Sequence, residues 1–426
     1  MFKKIITKKV AHQAQRLIEK RHPKIIAVTG SVGKTSTRDA IQTVLSKQFR
    51  VMASKGNYNT ELAVPLTILG LQLPKKVRNP FAWIAIYLKA KQIVMQPYNY
   101  DVVVVELGSD HPGDIAAYAS YIHPDINVVT AVSEEHMEFF KTIDAVAEEE
   151  FTITAVSGAV LINRDDIDKK FDRFNSSKKL LTYGLTRGSD YRFAIKDFTL
   201  HYGFDGTFSG EGIMNVKAQV RVVGTHNIKP AVAAVGVAQL LGVPIDAIMD
   251  GVADIEPLPG RMNLLRGAEG SIIIDDSYNS SPLAVKAALQ TLYDFQTDTD
   301  SRIALLGSMN ELGDTSEAAH KAVGTLCDPS ELDWVVTVGE DANKYLAPAA
   351  QAHGCRVKTF TTPYEAGAFV RSELKPGTVV LAKGSQNHVY IEEAVKLLLA
   401  DSNDEKQLVR QSTTWLERKQ KLFRDL

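Results

Sequence analysis

Residues Thr29-Gly30-Ser31-Val32-Gly33-Lys34-Thr35-Ser36 lie between an apolar run, Ile25-Ile26-Ala27-Val28, and a helix-compatible run, Arg38-Asp39-Ala40-Ile41-Gln42. The order strand, glycine loop, helix requires an α/β unit with its loop at the carboxyl edge of a sheet. Glycines let backbone N–H groups curl toward an anion, and the following helix N-terminus adds partial positive charge. In such a cradle Lys34 reaches the outer phosphates of a nucleoside triphosphate, and the Thr35 hydroxyl ligates Mg²⁺. Gly30, Ser31, Val32, Gly33, Lys34, Thr35 and Ser36 are therefore the expected phosphate-binding residues. One position departs from the common pattern G-x-x-x-x-G-K-[ST]: Val28 stands where the first glycine belongs. A plain turn between strand and helix would leave the adjacent Gly33-Lys34-Thr35 unexplained.

The pattern around this loop predicts an α/β fold. Strand-like runs at 25–28, 102–106, 126–130 and 159–163 alternate with helical patterns, which argues for a mostly parallel sheet covered by helices. From 191 to 224 the texture changes to short alternating runs broken by glycine, such as 198–203 and 216–223, an antiparallel patch on the same domain. A helix is expected over 228–241. Pro257-Leu258-Pro259-Gly260 then breaks both periodicities. Strand-like runs resume at 271–274, 302–306, 334–338, 356–360 and 378–382, predicting a second, Rossmann-like α/β domain. The expected organisation is a basic amphipathic helix at 1–23, a central nucleotide-binding domain at 24–258 and a carboxyl-terminal domain at 259–426. The tail from 401 to 426 reads as a terminal helix anchored by Leu408, Trp415, Leu416 and Phe423.

A formal net charge of −1 gives no electrostatic case for nucleic acid. Cys327 and Cys355 have no metal-ligand spacing and fit a reduced, cytoplasmic protein. No apolar stretch is long enough to cross a bilayer. Phe2, Ile5, Ile6, Val10, Ala14 and Leu17 share a helix face with lysines and arginines opposite. Such a helix packs on its own domain or lies on an anionic membrane surface, and the first is the default expectation. The run from Lys75 to Lys89 is basic, aromatic and apolar; a buried amphipathic helix is expected there ahead of a lipid contact.

Glu106 ends the run Val102-Val103-Val104-Val105, at the sheet edge where ligands bind, and is placed to hold Mg²⁺. His136 follows the end of another strand, where a metal role competes with an ordinary surface or core histidine. Glu148-Glu149-Glu150 reads by itself as a solvated helix face.

A collinear set of segments resembles the Mur ligase superfamily, most closely the branch that joins D-alanyl-D-alanine to a UDP-linked muramoyl tripeptide. The set comprises 29–36, Asn57-Tyr58-Asn59-Thr60-Glu61, Glu106-Leu107-Gly108-Ser109-Asp110, His136-Met137-Glu138, Gly224-Thr225-His226-Asn227, Pro259-Gly260-Arg261, Asp275-Asp276-Ser277-Tyr278-Asn279, Met309-Asn310-Glu311 and Lys383-Gly384-Ser385. The resemblance implies an ADP-forming carboxylate–amine ligase that uses ATP and Mg²⁺ and passes through an acyl phosphate. It implies that Thr35 and Glu106 hold one Mg²⁺ and that His136 helps hold a second. Lys34 would neutralise the γ-phosphate, Asn227 contact adenine, Arg261 the phosphates and Asp275 the ribose, with Tyr278 and Asn279 beside them. Lys383 and Ser385 would face the acyl phosphate and the amine, and Asn57 and Asn59 the substrate.

Two departures stand out. The carbamylated lysine that members use at the second Mg²⁺ falls on Glu150, which offers an oxygen without CO₂. The domain that holds UDP has no counterpart ahead of the loop, which leaves UDP recognition open; the expected substrates are a cell-wall peptide precursor, small-molecule or lipid-linked, as the carboxylate and a D-Ala-D-Ala-like dipeptide as the amine. A folylpolyglutamate synthetase-like ligase, the activating partner of a glutaminase and a non-catalytic nucleotide-binding scaffold are the alternatives.

Overall fold

Fifteen strands gather into two sheets in the computed structural model, which describes residues 2–54, 59–74, 79–199, 202–295 and 301–423. The chain divides into two compact units, one of residues 1–133, 139–221 and 227–255, the other of 134–138, 222–226 and 256–426.

The first unit holds β1 (Lys24–Thr29), β2 (Val51–Ala53), β3 (Val102–Glu106), β4 (Ile126–Val129), β5 (Ala159–Asn163), β6 (Leu180–Gly184), β7 (Tyr191–Thr199), β8 (Gly203–Gly210) and β9 (Ile213–Val220). They form one nine-stranded sheet in the order β2-β3-β1-β4-β5-β6-β7-β8-β9. β2 to β7 pair in parallel, and β7-β8-β9 is an antiparallel meander. The central strands are continuous apolar runs because both of their faces are covered: Val102 to Val105 are all buried. β7 alternates buried and half-exposed residues at its start, as a strand with one wet face does. The chain order reverses at β1, with β3 on one side and β4 on the other, and such a switch point opens a crevice at the strand carboxyl ends.

The helices of this part are α1 (Phe2–Arg21), α2 (Lys34–Leu45), α3 (Ala63–Ile68), α4 (Pro80–Met95), α5 (Asp114–Ala119), α7 (Ile143–Phe151), α8 (Lys229–Leu240) and α9 (Ile245–Ala253), while α6 (Met137–Phe140) has its first two residues in the second unit. The apolar face of α1, Ile6, Val10, Ala14 and Leu17, is buried against α3 and α4, so that helix spends its hydrophobic side on its own unit. The run expected at 198–203 proves to be the end of β7 and the start of β8, with residues 200–201 outside the described residues.

The second unit holds β10 (Asn263–Arg266), β11 (Ile272–Asp276), β12 (Arg302–Gly307), β13 (Trp334–Val338), β14 (Val357–Phe360) and β15 (Val379–Lys383), in the order β10-β11-β15-β12-β13-β14. All pairs but β10–β11 are parallel. The tail corrects the expectation of one terminal helix. A 3₁₀ turn at Ser402–Gln407 and a helix at Thr413–Leu422 flank Arg410, whose φ of 55° no continuous helix allows. Leu416, expected as an anchor, is 40% exposed, whereas Leu408 is buried and the Trp415 and Phe423 rings lie 6.2 and 6.1 Å from that of Tyr390.

Candidate active site

β1 ends at Thr29 and α2 starts at Lys34, so the glycine loop joins them where the chain order reverses. Gly30 has a φ of 118°, and a Cβ there would stand 2.3 Å from Thr130 Oγ1 and 2.8 Å from the Ala131 nitrogen. Only glycine lets the loop pass that close to the end of β4. Gly33 (φ 88°) turns the chain into α2. The Ser31 nitrogen donates to the Ala131 carbonyl at 2.9 Å, and Ser31 Oγ accepts from the Ser133 nitrogen at 3.0 Å, tying the loop to the neighbouring strand end. Lys34 Nζ folds back onto the carbonyls of Gly30 and Ser31. Val32, Gly33, Lys34 and Ser36 are half-exposed at the loop surface.

Glu106, at the end of β3, is 2% exposed. Its Oε2 accepts from Thr35 Oγ1 at 3.0 Å and pairs with Arg38 Nη1 at 3.2 Å, while its Oε1 accepts from Asn59 Nδ2 at 3.2 Å. The sequence reading missed Arg38. The available signal was its position one turn beyond Thr35 on the same face of α2. The Thr35 and Glu106 oxygens suit Mg²⁺: neighbouring corners of an octahedron with arms of about 2.1 Å lie about 3 Å apart. Among the described residues no group of three or more His, Cys, Asp or Glu side chains clusters as a metal cage. A cation on Thr35 and Glu106 would therefore take its other ligands from phosphate and water, the usual habit of Mg²⁺.

Glu150 corrects the reading of a solvated helix face. The three glutamates at the end of α7 have three environments: Glu148 is exposed, and Glu149 and Glu150 are buried. Glu149 accepts from the nitrogens of Gly113 and Ile115 at 2.8 and 2.7 Å and so caps α5. Glu150 turns toward the glycine loop. Its Oε2 accepts from the Gly30 nitrogen at 2.6 Å, its Oε1 from Ser109 Oγ at 2.6 Å, and its backbone carbonyl from Thr29 Oγ1 at 3.2 Å. Of the two asparagines expected at the substrate, Asn59 lies beside Glu106 and Asn57 lies outside the described residues. Asn227, also in the first unit, sits half-buried in the 3₁₀ turn Thr225–Ile228.

In the second unit the parallel register sets Asp276 of β11 beside Lys383 of β15. Lys383, only 3% exposed, donates to Asp276 Oδ2 at 2.6 Å and to the Asn279 carbonyl at 2.9 Å. Ser385 Oγ donates to the Ser280 carbonyl at 3.3 Å and accepts from the Asn310 nitrogen at 2.9 Å. Asp275 is fully buried; its Oδ1 accepts from the Ser277 nitrogen at 3.2 Å and its Oδ2 has no partner. Burial pushes its carboxyl up to about 6. The hydroxyls of Ser277, Ser280 and Ser281 are likewise buried without partners. Buried polar atoms are nearly always satisfied, so four orphans near one strand end suit a site completed by a polar ligand.

The Arg261 guanidinium stacks 4.2 Å above the Tyr278 ring. Arg410, which the sequence reading did not single out, holds the loop from beneath. Its Nη1 and Nη2 donate to the Tyr278 and Ser277 carbonyls at 2.9 and 2.6 Å, and Nε and Nη2 grip Glu392 at 2.7 Å each. His136, also in this unit, has a φ of 50° and places Nδ1 3.1 Å from Glu311. That hydrogen bond holds the Glu311 carboxyl below its usual range.

Comparison with known proteins places both units in one family. The Mur ligase middle domain matches residues 28–238, and the Mur ligase glutamate ligase domain matches residues 260–386. The UDP-N-acetylmuramoyl-tripeptide–D-alanyl-D-alanine ligase of Bacillus subtilis is 29% identical over 91% of this chain and 78% of its own length. In fold, MurF of Acinetobacter baumannii superposes with a TM-score of 0.75 at 23% identity, covering 91% of this chain and 79% of that one. The MurF ligase of Thermotoga maritima in complex with ADP gives 0.73 at 23% identity, covering 94% and 84%. With a glycine loop backed by Thr35 and Glu106 in one unit, a buried Lys383–Asp276 pair in the other, and a domain match spanning each, the chain belongs to the Mur ligase family.

Proposed function

We propose that this chain is an ATP- and Mg²⁺-dependent ligase that joins the carboxylate of a muramoyl-peptide precursor to the amine of a D-alanyl-D-alanine-like dipeptide, working in the cytoplasm. The observation that carries the reading is the glycine loop with the Thr35–Glu106 oxygen pair at its mouth. The acceptor class rests on the B. subtilis relative. The compartment rests on two cysteines that are buried and unbridged. Among the described residues no helix is long and apolar enough to cross a membrane. A peripheral membrane contact at the amino-terminal helix is part of the proposal, its basic side facing outward.

In the reaction a carboxylate oxygen attacks the γ-phosphorus and ADP leaves. The amine nitrogen then attacks the acyl carbon, phosphate leaves, and the nitrogen gives up a proton as the amide forms. Thr35 and Glu106 would hold Mg²⁺, which when bound would offset the repulsion between phosphate oxygens and the incoming carboxylate. The loop N–H groups and Lys34 bind the phosphates, and Lys34 leaves its resting carbonyls to follow the transferred group. Glu150 and His136 would serve a second cation. Asn227 would take adenine, Asp275 the ribose, Arg261 the phosphates, and Tyr278 and Asn279 the same side. Lys383 and Ser385 would hold the acyl phosphate and orient the amine; Asn57 and Asn59 would touch the carboxylate substrate.

Phosphate release, measured with paired carboxylate and amine candidates, tests the reading. Turnover should require ATP, Mg²⁺ and both substrates together, with UDP-linked and lipid-linked muramoyl tripeptides compared as acceptors. Lys34→Ala should melt within about 1 °C of the parent, since a half-exposed loop lysine contributes little to stability. Its turnover should fall about a thousandfold or more. Normal turnover in the folded variant would sink the proposal.

A further inference from the structure

One face of α4 is apolar and uncovered. At 3.6 residues per turn Phe81, Ile84, Leu88 and Met95 fall within about 60° of arc, and they are 76, 44, 58 and 67% exposed. Trp83, Ala90 and Val94 on the opposite side are buried in the core of the first unit. The helix is thus apolar on both faces, whereas a surface helix keeps a polar outer face. Scattered exposed apolar residues need no partner, but a contiguous ridge does.

Charge chooses the partner. α4 has no acidic residue; Lys91 lies about 20° from one edge of the ridge and Lys89 about 80° from the other. Beside it α1 exposes Lys8, Lys9, Arg16 and Lys20, with Glu19 its sole acid. The Lys9 and Lys91 ammonium groups stand 5.5 and 5.1 Å from the Tyr87 ring, and Lys20 Nζ reaches Met95 Sδ at 3.8 Å. The whole chain has a formal charge of −1, so this predominantly basic rim is local. A protein partner is met by balanced charges of both signs around an apolar centre; an apolar wedge flanked by exposed cations against a single acid matches anionic headgroups over acyl chains.

We propose that α4, flanked by α1, docks in the plane of an anionic lipid bilayer, with Phe81, Ile84, Leu88 and Met95 at the acyl boundary and the lysines at the phosphates. The contact deepens the peripheral-membrane reading above and shifts its apolar part to α4, because the apolar side of α1 is buried. It does not depend on the ligase chemistry, since vesicle binding and phosphate release are separate measurements.

The test is co-sedimentation of the full chain with phosphatidylcholine vesicles, with and without phosphatidylglycerol. The wild type should bind only the anionic vesicles and lose several-fold in partitioning as salt rises. The double variant Phe81→Ser/Leu88→Ser should bind at least about tenfold more weakly, with melting temperature and turnover on soluble substrates unchanged. Failure of the wild type to bind anionic vesicles overturns the proposal, as does equal binding to neutral ones or undiminished binding by the variant. A concentration-dependent dimer abolished by the same variant, without vesicle binding, would assign the ridge to a second copy instead.

Discussion

Asp275 combines complete burial, a single accepted backbone hydrogen bond and a carboxyl pushed up to about 6. With its value raised above that of the unfolded chain, the folded state binds the proton more tightly between about pH 4 and 6. Its contribution to stability is therefore full below that window and lost as pH rises through it. The penalty at neutral pH is on the order of 3 kcal/mol at most. Asp275→Asn should accordingly melt above the parent at pH 8, with the gap closing as pH falls below about 4; a pair of melting curves that stay parallel across pH would contradict this. If Asp275 holds the ribose, the same variant should raise the KM for ATP about tenfold.

Glu150 admits a comparable separation of roles at the residue scale. Glu150→Gln keeps the acceptor for the Gly30 nitrogen and can donate to Ser109 Oγ, so the fold should survive with a loss of about 1 kcal/mol. If the carboxylate serves a cation, the magnesium concentration for half-maximal activity should rise about tenfold or more. An unaltered magnesium dependence would confine Glu150 to holding the loop. Parent activity should be indifferent to bicarbonate depletion at constant pH, and Glu150→Lys should regain activity only when bicarbonate is supplied.

Among the elements, the broken tail acts on the Ser277–Tyr278 loop through Arg410. Arg410→Ala would leave the buried Glu392 to Lys419, 2.8 Å away, and two carbonyls without their donor, and should cost about 2–3 kcal/mol. Arg410→Lys is the sharper probe. One ammonium cannot reproduce the fork on Glu392 and the bonds to two carbonyls, so the chain should fold with its KM for ATP raised several-fold and kcat little changed. Equal losses in both constants would make Arg410 a merely structural residue.

How far these elements could be read from sequence depended on how local their cause is. Strands β3, β5 and β13 were readable to the residue because a covered parallel strand is an unbroken apolar run. The glycine loop was readable because its geometry demands glycines next to Lys34. β2, three half-buried residues long, left no such trace. Arg410 and Tyr278 are 132 positions apart, and nothing local to either announces the other. Glu150 looks like its two neighbours until the fold buries it against Gly30.

For the whole molecule, the proposed roles place nucleotide contacts in both units. Addition of a nonhydrolysable ATP analogue with Mg²⁺ should slow amide hydrogen exchange in residues 29–36 and also in 277–279 and around Arg261. Protection confined to the first set would remove Asp275, Arg261 and Tyr278 from the nucleotide's contacts.

The two compact units are not consecutive lengths of chain. Residues 134–138 and 222–226 precede the joint near 255 yet pack with residues 256–426. His136 bonds Glu311, Glu138 lies where a side chain on Gly313 would stand, and Thr291 lies where one on Gly224 would stand. A gene cut once at that joint would not yield two whole modules. The amino-terminal product would carry two segments without their packing partners, and the carboxyl-terminal product would lack both. Fragment complementation, domain exchange between relatives and circular permutation must all respect these repeated crossings, so the unit of inheritance here is the pair.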